Sequence, residues 1–111
     1  MDRPLQIVFR DIERSASLAR LIREKAQRLE HFYSHIIGCR VVAEGFPHGS
    51  RAVKKPLAIA VEIEVPGRPK LVARSQAAPH AGMGGENVIN RVFDAARRQL
   101  EDLAAIVHRR S

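Results

Sequence analysis

The chain has 111 residues, 19 Lys and Arg against 12 Asp and Glu, a formal net charge of +7 and a pI near 10.7. That length fits one domain with its own core and a radius of gyration of about 13 Å, and 45% apolar content excludes wholesale disorder. One cysteine excludes an intrachain disulfide framework and suits a reducing compartment, and no apolar run approaches the roughly 18 residues of a membrane span.

The opening MDRPLQIVF has no basic segment ahead of a long apolar run, so no secretory signal is expected. Residues 5–10 (LQIVFR) alternate, with Leu5, Ile7 and Phe9 on one face of a half-buried strand. Residues 15–33 read as a helix with Ser15 as N-cap. Leu18, Leu21, Ile22, Ala26, Leu29, Phe32 and Tyr33 recur at helical spacing and make its apolar stripe. A second strand is expected at 36–44, with Ile37, Cys39, Val41 and Ala43 on one face. Residues 45–56 are a loop by their Gly and Pro content.

Residues 57–65 (LAIAVEIEV) alternate most cleanly, with Leu57, Ile59, Val61, Ile63 and Val65 pointing one way. Pro66-Gly67 suits the centre of a type II turn, because Pro fixes φ and Gly accepts positive φ. A hairpin partner follows at 70–75, then a small, Gly-rich connection at 76–86. The last helix is expected over 87–108, with Val88, Ile89, Val92, Phe93, Ala96, Leu100, Leu103 and Val107 as its stripe. The expected fold is α+β: one two-layer β-α-β-β-β-α domain over residues 1–111, its four-stranded, antiparallel-rich sheet covered by both helices on one face. The other face is solvated and carries Gln6, Arg10, Arg40, Glu44, Glu62, Glu64 and Arg74.

The basic set is fifteen Arg and four Lys. Guanidinium groups grip phosphate in bidentate fashion, so the charge points to a nucleic-acid partner. With no Trp, one Tyr and four Phe, and no aromatic interleaved on a basic strand, a base-stacking platform is not expected. Contact by charge and shape with a phosphate-rich surface fits better.

Lys25 falls inside the apolar stripe of the first helix, and Arg28 lies just off its edge. Spacing leaves two readings: Lys25 packs its stem and solvates its head, or it emerges where the helices meet and offers charge to a phosphate. On the last helix Arg91, Arg98 and Arg109 share one sector flanked by Asp94, Glu101 and Asp102. Arg97 and Arg98 together resist neutralisation by those acids and are the better phosphate candidates. Arg51, Lys54 and Lys55 form a cationic loop tip suited to speeding encounter.

Catalytic and metal sites find little support. Cys39 reads as a core residue. His31 and His35 make half a metal site with no further ligand pair, and His48 and His80 stand alone. Gly82, Gly84 and Gly85 lack a phosphate-loop pattern. Glu62 and Glu64 pair on an open face with no cleft to perturb them. No enzyme activity, metal or cofactor is expected.

The element order, residues 22–44 (IREKAQRLEHFYSHIIGCRVVAE) and residues 93–104 (FDAARRQLEDLA) resemble the ribosome hibernation-promoting factor / ribosome-associated inhibitor family, also called sigma factor modulation proteins. The likeness spans almost the whole chain and rests on pattern, order and length. It implies a non-enzymatic cytoplasmic module with a layout like double-stranded-RNA-binding domains. Such a module binds 16S rRNA of the small subunit and the 70S ribosome in the mRNA and tRNA channel, and silences idle ribosomes under stress. The family's basic positions match Lys25, Arg28 and Arg98, with Arg97 adjoining; the resemblance favours a phosphate contact for Lys25. The family's acidic helix start and its Tyr before an Ala-Ile pair are replaced here across Gly84, Glu86, Val88 and Ile89. With Ser111 directly after the helix, the resemblance implies a short single-domain form, monomeric in isolation. The rival readings are a general structured-RNA binder and a protein-interaction module that uses the solvated sheet face.

Overall fold

A computed structural model of the chain describes residues 1–45, 58–76 and 85–110, with side chains of the last stretch described over 87–106. The expected loop tip Arg51, Lys54 and Lys55, residues 77–84 of the Gly-rich connection, His48, His80, Leu57 and the side chains of Val107 and Arg109 lie outside the described residues; of the expected connection at 76–86, Gln76 belongs to a strand and residues 85–86 to the last helix.

The order is β1 (Gln6–Arg10), α1 (Ala16–Phe32), β2 (Gly38–Glu44), β3 (Ala58–Glu64), β4 (Leu71–Gln76) and α2 (Gly85–Arg110). The four strands lie in sequence order in one sheet. β1 runs parallel to β2, which requires the crossover that α1 supplies. The pairs β2–β3 and β3–β4 are antiparallel.

Register places the alternating residues in rows. Ile7, Val41 and Val61 align across three strands, and Val61 meets Ala73 on β4. Cys39 meets Ile63, and Ala43 meets Ile59. These inward residues share one core with Ile22, Ala26 and Leu29 of α1 and Val88, Ile89, Val92, Phe93, Ala96 and Leu100 of α2. Both helices therefore cover the same sheet face, α2 over β3 and β4 with its flank against α1. Two-residue alternation on β3 and 3.6-residue spacing on the helices each put one apolar side toward this layer.

Local signals set the element ends. The Ser15 hydroxyl accepts from Leu18 N at 3.3 Å, and Ser15 itself is extended at φ −124°. Asp11 turns the chain out of β1 at φ 57°, a region Asp tolerates better than most residues. Gly67 has φ 68°, as the Pro66-Gly67 turn requires. The second strand starts at Gly38 and not at residue 36. Ile37 is still anchored, its N–H donating to Glu64 O at 2.8 Å and its carbonyl accepting from Arg3 N at 3.0 Å.

The radius of gyration is 14.8 Å, above the expectation for a rounded chain of this length. Its longest extent is 53 Å, and the 26 residues of α2 alone run about 39 Å at 1.5 Å per residue.

Burial holds Cys39 in its neutral form, pushing the thiol up to about 11 from an ordinary value near 9. The unfolded chain ionises first as pH rises, so this contribution is complete below pH 9 and lost between there and about 11. The native thiol should stay unreactive to a disulfide exchange reagent at pH 8 and react at once in denaturant; fast native reaction would contradict its core position. Ile22 is fully buried between α1 and the sheet. Ile22→Ala should cost about 2–5 kcal/mol in urea denaturation, and a cost below 1 would place that side chain elsewhere.

Candidate nucleic-acid interface

Leu21, Lys25, Arg28 and Phe32 follow one flank of α1 at spacings of four, three and four. At 3.6 residues per turn Lys25 lies within about 20° of Phe32 and Arg28 within about 40°. Lys25 is half-buried, so its stem packs and its ammonium projects at the edge; Arg28 is exposed. The opposing flank of α2 supplies Arg97. Its Cζ lies over the Phe32 ring, 4.8 Å from the centroid, which fixes this flank of α1 as the one facing α2. Arg97 Nε also donates to Glu101 Oε1 at 3.2 Å, one turn further along. Exposed contacts of these two kinds hold a side chain by only a few tenths to about 1 kcal/mol each. They order Arg97 without withdrawing it from solvent.

The adjacent arginines separate. Arg98 stands about 100° around α2 from Arg97 and points outward, with Arg91 within about 20° of it. Arg91 Nη2 donates to Gln76 O at the end of β4, at 3.5 Å. Lys25, Arg28 and Arg97 thus meet at the seam between the helices, while Arg91 and Arg98 occupy the outer face of α2. Arg98-Gln99-Leu100 divides three ways. Arg98 faces water, Leu100 is fully buried, and Gln99 Nε2 donates to Val72 O on edge strand β4 at 2.9 Å.

The opposite sheet face is electrostatically mixed. Glu62 takes Arg40 at 3.4 Å and Lys70 at 3.5 Å; Glu64 takes Lys70 at 3.8 Å and also the Arg3 guanidinium. Arg3 reaches Glu64 across Gly38, where a Cβ would touch its guanidinium at 3.4 Å. This face is not without relief. A shallow depression of about 520 Å³ lies among Arg10, Arg40, Glu44, Glu62, Arg74 and Gln76, floored by Val42, Ala58 and Ala60. Glu62 on its wall is engaged by two cations.

Three features escaped the sequence reading. Phe32, read there as part of the buried stripe, is 40% exposed, because its direction is the helix flank and not the sheet-facing centre. Arg3 joins the sheet-face network although it precedes β1. Met1 closes the chain start onto Glu30 through its terminal ammonium. Only the Phe32 placement had a visible signal, its sharing of a flank with Lys25 and Arg28.

Among the described residues no group of three or more His, Cys, Asp or Glu is arranged to hold a metal ion, and no helix is long and apolar enough to cross a membrane. His35 instead packs edge-to-face on Tyr33, ring centroids 6.0 Å apart.

The family model described as sigma 54 modulation protein / S30EA ribosomal protein matches residues 5–105. Among solved structures, a ribosomal subunit interface protein from Coxiella burnetii superposes with a TM-score of 0.68 at 14% identity, covering 91% of this chain and 97% of its own. The N-terminal domain of Protein Y from Thermus thermophilus gives 0.65 at 15% identity, covering 88% and 94%. No curated protein matches the sequence.

If Glu62 and Glu64 neutralise the sheet-face cations, Glu62→Gln/Glu64→Gln should elute from heparin at distinctly higher salt. Stability should change by less than about 1 kcal/mol per pair lost, because these pairs are partly exposed. Unchanged elution would show that these two carboxylates do not govern contact with a polyanion.

Proposed function

Because the chain belongs to the sigma 54 modulation protein / S30EA ribosomal protein family, a family of ribosome-associated modulation proteins, we propose that it is a ribosome hibernation factor. It binds 16S rRNA of the small subunit in the channel that mRNA and tRNA occupy, in free subunits and in 70S ribosomes. Silencing is steric: a folded module in the channel excludes mRNA and tRNA, and no bond is made or broken. Residues 1–111 act as one binding unit, a monomer working in the cytoplasm.

The observation that carries this reading is the meeting of Lys25, Arg28 and Arg97 at the helix seam, while the described sheet-face carboxylates Glu62 and Glu64 engage cations on the opposite side. Guanidinium and ammonium groups at a ridge suit phosphates presented by folded RNA. Arg98 and Arg91 extend the contact along the outer face of α2, and Arg51, Lys54 and Lys55 add a further contact in the sequence-based reading. The proposal requires preference for the assembled subunit over naked duplex, which separates it from a general structured-RNA binder.

Co-sedimentation with 30S subunits, 50S subunits and 70S ribosomes across a salt series tests it, with circular dichroism as control for folding. Wild type should bind 30S and 70S saturably, and Lys25→Glu/Arg28→Glu should lose that binding while remaining folded. Three phosphate contacts predict a log–log salt slope of roughly −2 to −3. Equal binding to 50S and free RNA, or none at physiological salt, would overturn the reading.

A further inference from the structure

Phe32 is a large apolar side chain that folding leaves at the surface, 40% exposed, although Leu29 one turn earlier is buried. It lies among cations. Lys25 and Arg28 precede it on the same flank, within about 10 Å along the helix axis at 1.5 Å per residue. Arg97 lies over its ring, and the Arg97 side chain is itself 59% exposed. Glu101 engages Nε of that guanidinium without burying the side chain. The result is a flat cationic group backed by an aromatic ring and flanked by two more cations.

A duplex backbone has no use for such a surface. Its phosphates are satisfied by charge alone, and its bases are stacked inside the helix. An unpaired base does use it, since bases stack on aromatic rings and on guanidinium planes alike. We propose that the seam between α1 and α2 takes an unpaired nucleotide of structured RNA. The base stacks on the Arg97–Phe32 pair, and the neighbouring phosphates are held by Lys25 and Arg28. This rests on the reading of the seam as an RNA site and narrows it to RNA with a base out of the stack. It also revises the expectation from composition. One exposed ring in the right place replaces the aromatic-rich strand that the sequence lacks.

The test compares two RNA hairpins, one with a single bulged 2-aminopurine in its stem and one with the same stem fully paired. Wild type should bind the bulged stem about 5- to 150-fold more tightly, the range for one base–aromatic stack, with a change in 2-aminopurine fluorescence. Phe32→Leu should erase that preference while leaving the salt slope unchanged, because no charge is removed. Arg97→Gln should also erase it, and Phe32→Trp should retain it. Lys25→Glu/Arg28→Glu should weaken both hairpins together. Equal wild-type affinity for the two hairpins, or a preference that survives Phe32→Leu, would overturn the proposal. Parallel co-sedimentation with 30S subunits separates the two readings. Ribosome binding without hairpin preference would sink the stack alone; hairpin preference without ribosome binding would support the stack and sink the hibernation role.

Discussion

Ile59, Val61 and Ile63 of β3 are sealed from water under helices packed side by side, and the rest of the molecule follows from that seal. Four strands at about 4.8 Å spacing give a sheet roughly 15 Å wide between its outer strands. Two helices with axes about 8–10 Å apart fill that width, so they must touch. Their facing flanks become a seam whose inner residues are buried and whose outer residues are half in water. Lys25 sits at that depth: too buried to be an ordinary surface lysine, too shallow to be a core residue. The seam is a product of sheet width, and its cations are the sequence's addition to it.

The distribution of charge depends on the same geometry. Carboxylates at every second position of β3, Glu62 and Glu64, fall on the face away from the helices, because their neighbours Val61 and Ile63 are claimed by the core. There they collect Arg3, Arg40 and Lys70. A chain with a net charge of +7 thus places an ion-paired network on the sheet face, while Lys25 and Arg28 stand on the α1 flank that faces Arg97. Isolated exposed pairs of this kind contribute little to stability.

The resemblance carried by residues 22–44 and 93–104 agrees with the family match over 5–105, and the helical and strand periods were legible because each element buries only one side. Solved structures at 14 and 15% identity share the fold, which fits a layout fixed by pattern and not by particular side chains. The positions of Lys25 and Arg28 on the edge of the α1 stripe were also readable, from rotation alone. Arg97 and Arg98 were not separable in function by sequence proximity. Adjacent helical residues point about 100° apart, and which direction meets α1 depends on how α2 lies across β3 and β4.

By itself, then, the sequence determined the order of elements, the Ser15 cap, the Pro66-Gly67 turn, the inward rows of the strands and the basic excess. All of these are encoded within a few residues, by side-chain period, backbone φ preference and charge. Tertiary structure alone decided that β1 pairs with β2 in parallel, that Arg3 crosses Gly38 to reach Glu64, and that Arg97 lies over the Phe32 ring. Each of these joins residues distant in the chain. Their contact is set by the helix-to-sheet packing, which no local window of sequence contains.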